Sequence, residues 1–150
     1  MFSEFVEEQA LLFVALAIII AMLLYSYLAD RLAGFKSVNE GEATRLFNDG
    51  AFLLDVRASN EYKEGFIGEA KNVSVADLKD RLNLLPKDKN KPILIYCLSG
   101  VRSSKAASIL VKEGYTSVYN LSGGINAWKA AGLPVAKAVS KKAKKKASSK

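Results

Sequence analysis

The 150-residue sequence predicts an α/β domain with a central, mainly parallel sheet flanked by helices, preceded by one N-terminal transmembrane helix. Three observations predict it. Short continuous apolar runs alternate with segments of helical spacing, as expected of βα units whose strands are buried on both faces. Residues 10–29, ALLFVALAIIIAMLLYSYLA, contain no charge. The sole cysteine, Cys97, ends an apolar run and leads directly into a glycine-containing loop and a helix.

The uncharged stretch comes first in the chain. At about 1.5 Å rise per residue, twenty helical residues span the roughly 30 Å hydrocarbon core of a bilayer. A buried core helix keeps one polar stripe, whereas this stretch is apolar all round until Tyr25, Ser26 and Tyr27. A cleaved secretory leader begins with positive charge, but residues 1–9 form a short acidic segment with Glu4, Glu7, Glu8 and no base. Arg31 and Lys36 flank the far end, which predicts an outside N-terminus and a cytoplasmic domain. A lone thiol also persists more readily in a reducing compartment.

After a linker at 30–35, the domain is expected over 36–135. Glu42–Asn48 reads as a helix stopped by Asp49-Gly50. AFLLDVR (Ala51–Arg57) and PILIYC (Pro92–Cys97) read as buried strands, the first ending in a charge pair. Ala76–Leu85 places Leu78, Leu82 and Leu85 at helical spacing, and Ser103–Glu113 does the same with Ala106, Ala107, Leu110 and Val111 before Gly114. SVYNL (Ser117–Leu121) is a further strand and Ile125–Ala131 a further helix. Gly123-Gly124 is expected to shape the turn between them, and Trp128 to pack on the sheet.

Charge and residue inventory narrow the chemistry. The formal charge of +7 resides in the tail, where Lys137, Lys141, Lys142, Lys144, Lys145, Lys146 and Lys150 have no acid among them. Residues 1–136 carry 15 bases and 15 acids, which argues against a nucleic-acid-binding domain. The tail, residues 136–150, is low in complexity and is expected to be disordered. Anionic lipid or a membrane-protein partner suits it best, since each lysine near such a surface contributes about 1 kcal/mol. One cysteine cannot form an internal disulfide. The absence of histidine excludes Cys-His proteases, Ser-His-Asp hydrolases and histidine-ligated metal enzymes within this chain. No cofactor and no metal are expected.

CLSGVRS, Cys97–Ser103, then places a nucleophile at a strand's carboxyl end, the edge where open α/β sheets bind ligands. The helix that follows directs free N–H groups and partial positive charge at the loop. Gly100 permits positive φ, Ser99 offers a hydroxyl, Ser103 and Ser104 open the helix, and Arg102 supplies a permanent cation. Together with Leu98 and Val101 these residues are expected to form an anion cradle around a thiolate whose pKa lies below the ordinary value of about 8.5.

That loop resembles the active-site loop of rhodanese-domain sulfurtransferases. LLDVR (Leu53–Arg57) with EYKEGFIGEAKNV (Glu61–Val73), and LSGGINAWKAAGLPV (Leu121–Val135), resemble other segments of that family in order and spacing. The resemblance implies a rhodanese-like fold over residues 36–135, and the uncharged stretch at 10–29 adds the expectation of a single-pass anchor in the bacterial inner (plasma) membrane. The resemblance also implies transfer of sulfane sulfur from a donor such as thiosulfate, through a Cys97 persulfide, to a thiol or cyanide acceptor. Cys97 and Arg102 would be catalytic, Leu98, Ser99, Gly100, Val101 and Ser103 would form the binding loop, and Asp55, Arg57 and Glu61 would support it. Those three charges also read as purely structural ion pairs. Related phosphatases place five residues between Cys and Arg; four stand here, which resembles the sulfurtransferase class. Gly65-Phe66-Ile67 departs from the family's common Gly-His-Ile. The rival expectation is a membrane-tethered binding module or adaptor for a membrane-protein partner.

Overall fold

In the computed structural model, which describes residues 2–138, the apolar runs become short strands of one five-stranded sheet. The strands are β1 (Lys36–Val38), β2 (Phe52–Asp55), β3 (Lys71–Asn72), β4 (Ile93–Tyr96) and β5 (Val118–Leu121). Their spatial order is β1-β5-β4-β2-β3, and every pairing is parallel. Parallel neighbours need crossover connections, which the chain makes through α2 (Glu40–Asn48), α3 (Ser59–Glu64), a 3-10 helical segment (Val75–Leu84) and α4 (Val101–Lys112). Helix α5 (Gly124–Ala130) follows β5.

Both faces of the sheet are covered, and this explains why its strands are apolar without alternation. Leu54, Ile93, Ile95 and Cys97 point into one core with Leu78, Ala106, Ala107 and Leu110. Leu53, Leu94 and Tyr96 point into the other with Ala43, Ile67, Ile125 and Trp128. Trp128 packs under the sheet as its indole N–H donates to the Pro134 carbonyl at 2.9 Å. Connections run outward in opposite directions from β2 and β4, so the strand order reverses between these two. Ligands of open α/β sheets bind beyond the carboxyl ends of strands at such a reversal. Asp55 ends β2 and Cys97 immediately follows β4.

The amino-terminal unit is a single helix, α1 (Phe2–Ala33). It continues through the acidic segment and into the expected linker because no proline or glycine interrupts the chain before Gly34, whose φ of 75° ends it. Glu4 in its first turn and Arg31 in its last suit the helix dipole. The helix is long and apolar enough to cross a membrane, its most apolar 18-residue stretch having a mean hydropathy of 2.6.

Two other local expectations change. Leu78, Leu82 and Leu85 do meet one core, but the backbone carrying them is a 3-10 helix kinked at Arg81 (φ −123°, ψ 25°), not a regular α-helix. Helix α4 is not capped by a serine side chain. Its N-cap is Gly100, in the left-handed region at φ 102°, and the two serines lie within the first turn. The lysines at 141–150 lie outside the described residues.

Candidate active site

The corner after β4 folds around the Cys97 sulfur. Ile125 N–H donates to the Cys97 carbonyl at 2.9 Å and Asn126 N–H to the Leu98 carbonyl at 3.2 Å. The amino end of α5 therefore draws these carbonyls to one side. Since a trans peptide sets C=O and N–H in opposite directions, the Ser99 N–H is turned the other way, toward the sulfur. Gly124 makes this grip feasible: with φ 59°, it brings its backbone against Leu98, and a Cβ there would lie 2.5 Å from the Leu98 carbonyl carbon. Gly100 is under a similar constraint. It combines positive φ with backbone neighbours Gly123 N and Leu121 O, each 3.4 Å from where its Cβ would stand.

Gly100 N–H donates to Cys97 Sγ at 3.0 Å, and Ser103 Oγ lies 3.4 Å from the same sulfur. Cys97 is 1% exposed, and burial is the largest influence on its thiol, pushing the pKa up. The Ser103 hydroxyl and the backbone N–H groups of Ser103, Gly100 and Ser99 outweigh burial, so the net shift is down. The sulfur is thus enclosed, but by donors that favour its charged form. Ser99 contributes through its amide, where the sequence reading assigns its hydroxyl.

Arg102 does not hydrogen-bond the sulfur. Its guanidinium pairs with both Glu61 oxygens, at 2.8 and 2.9 Å, at a partly exposed rim. Glu61 also accepts the Ala58 N–H at 3.0 Å, thereby capping α3, and the Arg102 bonds hold its carboxyl at about 2, below the ordinary carboxylate range. Leu98 and Val101 form an exposed apolar rim to the loop.

Asp55 and Arg57 form a separate buried pair. Arg57 Nη2 contacts Asp55 Oδ2 at 2.6 Å and the Gly65 carbonyl at 2.6 Å, while the Arg57 N–H donates to Asp55 Oδ1 at 2.9 Å. The pair ties the end of β2 to the start of the segment at Phe66, as expected of structural ion pairs. Phe66, where the sequence departs from Gly-His-Ile, stacks on Tyr62 with ring centroids 4.3 Å apart. Its backbone pairs with Ala136.

Asn120 belongs to the site and was passed over in the sequence. Its Oδ1 accepts from Ser103 Oγ at 2.6 Å, and its Nδ2 donates to Ser104 Oγ at 2.8 Å and to the Gly100 carbonyl at 3.4 Å. A buried asparagine inside SVYNL was the available signal, because a buried amide must find partners. The Gly123-Gly124 pair, read as a turn, also holds the reactive loop.

Residues 39–131 match the family model described as Rhodanese-like domain. The uncharacterized protein YqhL of Bacillus subtilis is 45% identical over 78 residues, covering 52% of this chain and 60% of its own length. Thiosulfate sulfurtransferase GlpE of Coxiella burnetii is 36% identical over 97 residues, covering 64% of this chain and 89% of that protein. Among solved structures, a rhodanese-related protein from Thermoplasma volcanium aligns with a TM-score of 0.61 at 29% identity, covering 67% of this chain and 97% of that one.

Proposed function

The chain belongs to the rhodanese-like domain family, and from that premise we propose that it is a membrane-anchored sulfurtransferase carrying sulfane sulfur on Cys97 as a persulfide. The observation that supports this most is the Gly100 N–H donating to Sγ at 3.0 Å, alongside the Ser103 hydroxyl and two further amides. Such an enclosure stabilises a thiolate without histidine.

The Cys97 thiolate attacks the outer sulfur of thiosulfate. A Cys97 S–S bond forms, the bond from that sulfur to the sulfonate breaks, and sulfite leaves with the electron pair. Cyanide or a thiolate then attacks the outer persulfide sulfur and takes it, and Cys97 departs as thiolate. No proton or redox partner is required with cyanide, and charge balances in both steps. Loop N–H groups offset charge on sulfur throughout. Arg102, neutralised in part by Glu61, stands at the rim where an anionic donor approaches.

Helix α1 would anchor the chain in the inner membrane, with the amino terminus outside and the domain, spanning residues 36–135, in the cytoplasm; Arg31 and Lys36 on the domain side support that orientation. The tail lysines would add attraction to anionic lipid. Full-length protein incubated with thiosulfate should gain one sulfur atom by intact-mass measurement and then release thiocyanate to cyanide. Thiocyanate production undiminished in Cys97→Ala would refute the assignment. Absence of any gain in mass, with a membrane protein co-purifying, would favour the tethered-adaptor reading instead.

A further inference from the structure

A groove of about 650 Å³ runs between the 3-10 segment and α4, beginning at Arg102 and leading away from the sulfur loop. Its rim carries Lys79, Lys105 and Lys112 besides Arg102, and its floor includes the half-buried Val75 and Ile109. No acid lines it. Arg102 is paired with Glu61, whereas among the described residues Lys79, Lys105 and Lys112 form no ion pair. Residues 102, 105, 109 and 112 share one face of α4 because helical neighbours recur three and four residues apart.

This arrangement is not required by the fold. Three unpaired ammonium groups along one groove repel each other, and the half-buried floor already meets the core on its inner side. A small anion such as thiosulfate fills little of such a volume. A flat bilayer meets the rim but cannot enter to cover Val75 and Ile109. The length and chemistry instead suit a chain: Arg102 to Lys112 spans about 15 Å along the helix, the reach of about four or five extended residues.

We propose that this groove binds an acidic segment of a protein partner, with aspartate or glutamate side chains meeting the lysines and interspersed apolar side chains covering Val75 and Ile109. The segment would hold beside Cys97 a protein that gives or takes sulfur. In that respect the inference rests on the transfer reading above. Charge complementarity of this kind chiefly sets encounter rate and partner choice.

The test uses full-length protein in detergent micelles and a fluorescent peptide of alternating glutamate and leucine, with glutamine replacing glutamate in the control. Anisotropy should show saturable binding of the acidic peptide alone, weakened by salt and by about tenfold or more in Lys105→Glu/Lys112→Glu, in line with loss of steering and attraction. Lys105→Gln/Lys112→Gln serves if the reversal disturbs folding, with a smaller loss in the same direction. Replacing Lys141, Lys142, Lys144, Lys145 and Lys146 by alanine should leave most of the binding. Equal binding by the charge-reversed protein, loss of binding in the tail variant alone, or Lys105- and Lys112-dependent binding to phosphatidylglycerol vesicles in place of peptide would each overturn the proposal. Sulfur loading from thiosulfate, measured on the same samples, separates the two readings: peptide binding without loading removes the transfer chemistry and leaves the groove, and loading without peptide binding does the reverse.

Discussion

Replacing Ser103 with alanine should raise the Cys97 pKa while leaving the fold largely in place. The hydroxyl lies 3.4 Å from Sγ and is the foremost of the influences that favour the thiolate, with burial working against it. A hydrogen bond to a charged group contributes about 1.5–3 kcal/mol, and the long contact argues for the lower end. The thiolate loses stabilisation of that order, so the thiol pKa should rise toward that of an ordinary cysteine. The hydroxyl has a single hydrogen, for which Asn120 Oδ1 at 2.6 Å competes with the sulfur, and the same change leaves that amide oxygen without its donor at a stability cost of about 1–2 kcal/mol. Alkylation rate against pH reads the thiolate fraction directly, with urea denaturation recording stability on the same sample. Sulfur loading should fall at neutral pH and recover as pH increases past the new pKa. Ser108→Ala is the control, because its hydroxyl reaches the Ser104 carbonyl and not the sulfur. An unchanged alkylation profile in a folded Ser103→Ala protein would show that the amides alone hold the charge.

Gly124→Ala should destabilise by about 2–4 kcal/mol, since a side chain at φ 59° is strained and its Cβ meets the Leu98 backbone; urea denaturation measures this, and sulfur loading should fall with it. Arg57→Leu leaves Asp55 buried beside an apolar group and should cost about 3–5 kcal/mol, again by urea denaturation. Glu61→Gln should cost about 1 kcal/mol at neutral pH, a figure reduced for the exposure of Arg102. The Glu61 carboxyl is held at about 2 against an ordinary 4.5, so its stabilisation is full above 4.5 and lost as pH falls toward 2. Wild type and variant should therefore converge in denaturation midpoint over that window, and a gap that persists at pH 2 would contradict the pairing.

The strand leading into Cys97, its neighbour β2 and the helix after the loop were legible because buried parallel strands and amphipathic helices leave strong apolar periodicities. β1, α3 and β3 left weak ones. Two- and three-residue strands gain their partners from tertiary pairing, and SNEYKE buries no side chain. The 3-10 geometry of residues 75–84 was hidden for a related reason: leucines three and four apart satisfy either helix. At the site, residue types near the cysteine told of a stabilised sulfur, but not which atoms face it. Arg102 was read as part of the cradle, and only the fold brings Glu61, 41 positions earlier in the chain, into contact with it. Asn120 within β5 and Gly124 just after it act at a sequence separation that local patterning cannot register.

That last dependence has a bearing on how the protein is made. Cys97 leaves the ribosome well before Gly123, Gly124 and Ile125, the residues that draw the loop carbonyls aside and aim the Ser99 amide at sulfur. Until they emerge, and until β5 seats between β1 and β4, the thiol lacks the full set of donors that favour its charged form. On the proposed transfer reading, the nascent polypeptide would be spared premature loading, with reactivity arriving only with the closing stretch of the sheet. A chain ending at Thr116 should accordingly carry a cysteine that alkylates like one in a free peptide.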